Sequence, residues 1–231
     1  MLDASGGSDS RQGPFLYPVS TSSRGGGSEL EQAVVGLLTT TGFDTAIPEG
    51  TTLDSATTDG STAVIDLSEE FGGGGGSTSV MARLAQLTFT ATSVEGVDSV
   101  LLVDGGDPVT VFSAEGLVLD GPMTREDFED FWPGILVEAP AAGSVVDLPL
   151  TISGVAAAFE GVFQLEILDG NEVVFQPDYV QTDNGAGYGA FEVVADFDAD
   201  PGTSLMIRVW EFSAKDGSVV SERFVPVTVG N

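Results

Sequence analysis

Three aspartates, Asp196, Asp198 and Asp200, alternate with apolar residues, and their spacing matches the first, third and fifth ligands of a calcium-binding loop. The rest of the segment departs from that loop. Pro201 stands where the loop requires glycine, and Ile207 stands where it requires a bidentate glutamate. The pattern therefore predicts an acidic turn between two strands, with calcium binding at the three aspartates as the alternative.

The composition limits the chemistry that the chain can perform. It contains no cysteine and no histidine, which excludes Ser-His-Asp and Cys-His nucleophiles, thiolate or imidazole zinc sites, and disulfides. A carboxylate pair for glycoside hydrolysis is compatible with the 36 acidic residues, but no aromatic-lined cleft is predicted around any pair. We therefore predict no catalytic residues and no cofactor.

The charge of the chain restricts its partners. Only 7 basic residues oppose the 36 acidic ones, and the formal net charge of −29 repels phosphate backbones and anionic lipid surfaces. The sequence has no apolar run of about 18 residues, so no membrane-spanning segment is predicted. We expect no binding to nucleic acid.

Residues 63–92 combine an alternating strand, five consecutive glycines and an amphipathic helix. A glycine loop between a strand and a helix can expose backbone N–H groups to a phosphate. However, the lysine of a phosphate-binding loop is missing, and Glu69 and Glu70 would repel the ligand. We therefore predict a flexible loop, and a structural ion pair between Arg83 and Asp66, Glu69 or Glu70.

The order of the patterns predicts an α+β fold with two domains. Residues 1–13 are expected to be a disordered tether, and residues 14–112 a small α/β sandwich with two helices on one sheet and its first strand at residues 15–19. Residues 113–134 are expected to form a linker with a short helix. Residues 135–231 alternate at strand spacing and predict a seven-stranded immunoglobulin-like β-sandwich.

The predicted linker helix carries three aromatic residues at helical spacing, Phe128, Phe131 and Trp132. It follows a sequence typical of a capping box at Thr124. We predict that these aromatic side chains are structural and dock between the domains. The alternative is an aromatic platform that binds a sugar.

Several stretches resemble two domains that occur together in bacteria. In the first half, TAIPEGTTL (45–53), AVIDLSEEF (63–71) and VDSVLLVDGGDPVTVF (97–112) resemble the GerMN domain of sporulation and spore germination proteins. In the second half, ILVEAPAAGSVVDLPLTISGVAAAFEG (135–161) and VPVTV (225–229) are similar to the immunoglobulin-like domain of bacterial spore germination. The resemblance covers nearly the whole chain.

The resemblance implies an exported, non-catalytic binding or assembly module of the cell envelope, commonly a lipoprotein held by a lipidated cysteine that this sequence does not contain. It implies envelope proteins, or further copies of the chain, as partners of the α/β domain. We expect a monomer in dilute solution because the chain repels itself. The alternatives are a calcium-binding or carbohydrate-binding envelope protein and a carboxylate-based cell-wall hydrolase.

Overall fold

The computed structural model describes residues 8–9, 13–21 and 26–230, and the chain divides into two compact units. Residues 21–131 form an α/β unit, whereas residues 132–230 and the described part of residues 1–20 form a β-sandwich. The first strand, β1 (Ser8–Asp9), pairs with the last strand of the chain. Of the predicted tether at residues 1–13, residues 8 and 9 thus form a strand, and most of the remainder lies outside the described residues. The two-domain α+β fold is confirmed.

The α/β unit has two helices and a four-stranded sheet. Its elements are α1 (Glu29–Thr39), β2 (Leu53–Asp59), β3 (Thr62–Leu67), α2 (Ser77–Ala91), β4 (Ser99–Asp104), β5 (Asp107–Pro108), β6 (Val111–Phe112) and β7 (Leu117–Val118). The sheet has the order β2-β3-β4-β5, and only β3 and β4 are parallel. This parallel pair requires a crossover, which α2 supplies. Strands β6 and β7 form a separate hairpin.

Helix α1 begins where the sequence predicts. The Ser28 side chain accepts a hydrogen bond from the N–H of Glu31, and the Glu31 side chain accepts one from the N–H of Ser28. This capping box satisfies two N–H groups that the helix leaves without partners. Leu30 and Val34 are buried on the same face, so α1 covers the unit by an apolar stripe. Helix α2 is buried on more than one face and also buries polar side chains.

The strand predicted as the first of the α/β sheet is wrong. Residues 15–19 form no strand: only Val19 makes a bridge, with Ala142 of the sandwich, because prolines at positions 14 and 18 have no N–H to donate to a ladder. Strand β5, which returns along β4, is only two residues long. After β5 the chain leaves the sheet, and Val111 and Phe112 pair with β7 instead.

The linker predicted at residues 113–134 contains elements of the α/β unit, which extends to residue 131. Met123 makes a bridge with Val100 of β4. The expected short helix is a 3-10 segment (Glu126–Phe131) rather than an α-helix, because Phe128 has a non-helical backbone conformation with φ −127° and ψ 26°. The Asp127 carboxylate nevertheless accepts a bond from the N–H of Thr124 at 2.7 Å, as the capping pattern indicates.

The sandwich consists of two largely antiparallel sheets around one core, and its described strands number ten rather than the seven predicted. Its further strands are β8 (Ile135–Ala139), β9 (Val145–Val146), β10 (Leu150–Ala156), β11 (Val162–Asp169), β12 (Glu172–Phe175), β13 (Val180–Gln181), β14 (Gly189–Ala195), β15 (Ser204–Phe212) and β16 (Val219–Val229). One sheet has the order β14-β10-β8 and the other the order β1-β16-β15-β11-β12, with β13 beside β11 and a parallel β9 beside β16. Alternate residues of both sheets form the core, including Ile152, Phe163, Ile207 and Val225.

Candidate interaction site: the glycine loop and the apolar hairpin

The loop between β3 and α2 has a conformation that depends on glycine. A 3-10 turn (Glu69–Gly72) leads into it, and both Gly74 (φ +60°) and Gly75 (φ +83°) lie in the left-handed region. A Cβ atom on Gly75 would lie 2.9 Å from Ser79 Oγ and 3.2 Å from Arg83 Nη2. The glycines therefore allow the loop to lie close against the first two turns of α2.

Arg83 holds this loop from inside the protein. Its side chain belongs to α2 and is only 2% exposed. Nη1 donates to the carbonyl oxygens of Phe71 at 2.6 Å and Gly73 at 2.9 Å, and Nη2 donates to that of Gly74 at 3.0 Å. Three carbonyl groups that the loop would otherwise leave unsatisfied thus share one guanidinium.

The predicted ion pair of Arg83 with Asp66, Glu69 or Glu70 is wrong. Arg83 binds main-chain carbonyls, while the Asp66 carboxylate accepts a bond from the N–H of Gly105 at 3.0 Å. Burial lowers the pKa of Arg83, but arginine stays protonated in proteins. The buried charge is therefore stabilised by carbonyl dipoles, and the loop predicted to be flexible is bonded at three points.

The N-terminus of α2 faces a carboxylate rather than an open anion site. Gly76, the N-cap residue, offers no side-chain hydrogen bond, and the Ser77 hydroxyl donates to Glu115 Oε2 at 3.0 Å. Glu115 lies in the turn of the β6–β7 hairpin. Its negative charge interacts favourably with the positive end of the α2 dipole. The loop carbonyls are turned toward Arg83. This geometry favours a structural loop over a phosphate-binding one.

The β6–β7 hairpin is attached to this loop by its inward face. Phe112 is buried, and its ring centroid lies 5.4 Å from that of Phe71, which precedes the glycines. Its cross-strand partner Leu117 is half-buried. On the opposite face, Val111 and Val118 are also cross-strand partners, but they are 59% and 60% exposed. The hairpin is therefore fixed to the unit by one face and exposes an apolar pair on the other.

Two residues of this region have no signal in the local sequence. Glu115 binds Ser77 across 38 residues. Gln86, buried on α2, accepts bonds from the N–H of Ala46 at 2.8 Å and the hydroxyl of Thr45 at 3.2 Å. Both contacts join segments that are remote in sequence, so periodicity and capping patterns could not identify them.

The three aspartates proposed as calcium ligands are not brought together. Asp196, Asp198 and Asp200 are exposed in an extended segment, while Phe197 and Ala199 between them pack against the sandwich core. Alternation along an extended chain puts the three carboxylates on the outward side. Within the described ranges, no group of three or more acidic side chains is arranged to hold a metal ion.

The three aromatic residues of the predicted linker helix are divided between the units. Phe128 and Phe131 are buried at the end of the α/β unit, and Trp132 belongs to the sandwich. The Trp132 ring packs edge-on against Tyr188 at 4.8 Å, and the Tyr188 hydroxyl donates to the Trp132 carbonyl at 2.9 Å. All three side chains are buried, so they offer no exposed platform for a sugar.

The outer face of the larger sandwich sheet carries a charged network that the sequence did not indicate. Arg208 donates to Glu166 at 2.9 Å and to Glu222 at 2.6 Å, and its guanidinium lies 4.4 Å from the Trp210 ring centroid. Burial lowers the pKa of Arg208, but the hydrogen bonds and charges of Glu166 and Glu222 raise it above its ordinary value. The strand register places these residues side by side, so the network is structural.

Family models match both halves of the chain. Residues 2–110 match the model described as "Sporulation and spore germination", and residues 134–218 match the "Immunoglobulin-like domain of bacterial spore germination". Neither family is described as an enzyme. The chain therefore carries a GerMN-type sporulation and spore germination domain followed by a spore-germination immunoglobulin-like domain.

Solved structures include similar chains from two bacteria. A candidate lipoprotein from Clostridium perfringens is 19% identical, with a TM-score of 0.38 over 42% of this chain and 68% of that chain. The first GerMN domain of the sporulation protein GerM from Bacillus subtilis is 23% identical, with a TM-score of 0.37 over 44% and 84%. The tandem GerMN domains of GerM are 17% identical, with a TM-score of 0.41 over 85% and 61%. No curated protein matches the chain.

Proposed function

We propose that this protein is a non-catalytic module that holds components of a bacterial cell envelope together. The α/β unit makes the partner contact, and the sandwich serves as a spacer or second contact. The observation that carries this proposal is the pairing, in one chain, of two domains from the sporulation and germination families. Sporulation itself is not part of the proposal, which concerns the mode of action.

The chemistry of the chain supports a binding role. It has no histidine or cysteine, and Arg83, the most deeply buried of the described arginines, binds main-chain carbonyls rather than a catalytic group. The carboxylates proposed as metal ligands point to solvent and form no cluster. These features favour partner binding over a calcium site or a carboxylate hydrolase.

An extracytoplasmic location with an N-terminal lipid anchor belongs to the same proposal. In the described part of the chain, no helix has the length and apolar character needed to cross a membrane. The charge of −29 repels an anionic lipid surface. Attachment by a lipid would raise the local concentration at the membrane and strengthen contacts that are weak in solution.

The α/β unit offers more strand edges for a partner than predicted. Residues 15–19, the edge expected from the sequence, contact the sandwich instead. Among the described residues, however, β2 pairs only with β3, and the β6–β7 hairpin pairs with no other strand. Such edges present backbone N–H and C=O groups that another chain can pair with.

The test uses the full chain with a photo-crosslinking amino acid at one exposed position at a time. Val35 on α1 and Thr58 on β2 report on the α/β unit, and Val145 and Val194 report on the sandwich. We expect discrete crosslinks to envelope proteins from the first pair of positions, and different products or none from the second pair. Identical products from both pairs would overturn the assignment of the contact. Release of soluble glycan or peptide from purified cell wall would overturn the non-catalytic role.

A further inference from the structure

The β6–β7 hairpin combines an anchored inner face with an exposed apolar outer face. Phe112 fixes the inner face against Phe71, and Glu115 in the turn is bonded to Ser77 of α2. The outer face displays Val111 and Val118 directly across from one another. A cross-strand pair of β-branched residues that is more than half exposed is a surface on which an apolar side chain can pack.

The backbone of the hairpin is also available for pairing. Within the described ranges, β6 and β7 pair only with each other. The inner ladder continues to a bond from the N–H of Leu119 to the carbonyl of Thr110 at 2.9 Å. The outer edge of each strand therefore carries backbone donors and acceptors that could bind an added strand.

The charged residues that flank the hairpin in the sequence have one sign. Between Arg83 and Arg125 the sequence has no basic residue, but it contains six acidic ones: Glu95, Asp98, Asp104, Asp107, Glu115 and Asp120. Glu115 and Asp120, which lie within three residues of Val118, are both exposed. A segment that approaches the valine pair thus enters a negative potential, which attracts lysine or arginine and repels another acidic chain.

We propose that the β6–β7 hairpin is the docking surface for an extended, basic segment of a partner protein. The segment adds as a strand to the free edge of the hairpin, places its apolar side chains on Val111 and Val118, and directs its basic side chains to Glu115 and Asp120. This inference rests on the proposed function and names the surface of the α/β unit that performs it. A second copy of this chain is disfavoured as the occupant because each copy carries a charge of −29.

The experiment measures binding of a fluorescent, blocked peptide of alternating valine and lysine to the full chain. A peptide of alternating valine and glutamate is the charge control. The Val111→Thr/Val118→Thr double variant keeps the β-branched shape and strand propensity of valine but removes two methyl groups from the apolar surface. Val145→Thr, at a sandwich position that is 72% exposed, is the matched control.

We expect the lysine peptide to bind the wild type and Val145→Thr equally, and the double variant about ten-fold more weakly. Binding should also protect amides on the outer edge of β6 or β7 from hydrogen exchange. Unchanged circular dichroism and melting temperature would show that the double variant is folded. The valine and glutamate peptide should not bind.

Equal binding of the lysine peptide to all three proteins would show adsorption by charge alone and would overturn the proposal. The proposal would also be overturned if the wild type bound no peptide but associated with itself, and the double variant did not. A second copy of the chain would then be the occupant. If the double variant keeps the crosslinks from Val35 and Thr58, the hairpin proposal fails while the proposed function stands. If those crosslinks are absent from the wild type, the proposed function fails.

Discussion

Arg83 Nη1 lies 2.6 Å from the carbonyl oxygen of Phe71 and donates a hydrogen bond to it. This bond connects the helix that follows the glycine loop to the turn that precedes it. Because Phe71 also packs against Phe112, the same residue joins the buried arginine to the base of the exposed hairpin. The stability of the loop and the position of the hairpin should therefore be coupled.

Arg83→Lys should destabilise the α/β unit. A lysine cannot reproduce the fork of the guanidinium, and at least one buried carbonyl would lose its charged donor, at a cost of about 2 kcal/mol in the free energy of unfolding. The loss of helical circular dichroism in urea measures this, since both α-helices of the described chain lie in the α/β unit. Faster amide exchange at residues 72–76 should accompany it. Unchanged exchange there would contradict the role given to Arg83.

Gly75→Ala should destabilise the protein more than Gly76→Ala. Position 75 has φ +83° and no room for a Cβ atom beside Ser79, whereas position 76 is extended and open. The expected loss is about 1–3 kcal/mol at position 75 and smaller at position 76, where alanine fits the space but is a poorer N-cap than glycine. Urea denaturation of the two variants side by side provides the comparison. Similar stabilities would show that the loop adjusts to a side chain at either position.

Asp216, in the hairpin turn at residues 213–218, should have a lower pKa than a solvated aspartate. The pKa of Asp216 is lowered because its carboxylate accepts bonds from the Ser218 hydroxyl and N–H and from the Ser213 hydroxyl. A carboxylate of this kind stabilises the folded state above its unfolded pKa, and the contribution is lost as pH falls through the folded pKa. Ser218→Ala should raise the Asp216 pKa toward its ordinary value in an NMR titration. A smaller rise is expected for Ser213→Ala, and no change in either variant would refute the assignment.

Salt should raise the melting temperature. The net charge of −29 makes the folded chain repel itself, and about 1 M NaCl shortens the Debye length to about 3 Å, which screens this repulsion. Differential scanning calorimetry from low salt to about 1 M NaCl measures the effect. A flat or falling melting temperature would show that self-repulsion does not limit stability.

Calcium should have no effect beyond that of ionic strength. The carboxylates of Asp196, Asp198 and Asp200 face outward on an extended segment, and a ligand stabilises a protein only by binding its folded state. We expect equal melting temperatures in CaCl2 and in NaCl of the same ionic strength, for the wild type and for Asp198→Ala. A calcium-specific rise that Asp198→Ala abolishes would restore the metal site.

The sequence was informative wherever structure depends on neighbours along the chain. The strand–glycine–helix order of residues 63–92 appears as predicted, and the capping box at Ser28 and the hairpin at Asp59–Gly60 are likewise local features. Each depends on backbone preferences and on a periodicity of 2 or 3.6 residues, which a few adjacent residues establish. The same local alternation identified the strands of the sandwich.

Tertiary structure decided which distant groups meet. The charge of Arg83 was visible in the sequence, but the choice between carboxylates and loop carbonyls depended on how the glycines fold over the helix. Likewise, Val19 pairs with Ala142, which is remote in sequence, and Trp132 belongs to a different unit from its near neighbour Phe128. Periodicity specifies the face on which a side chain lies. The partner of that side chain is determined by the packing of the whole chain, because a buried polar group must form hydrogen bonds with whichever donors or acceptors the fold brings beside it.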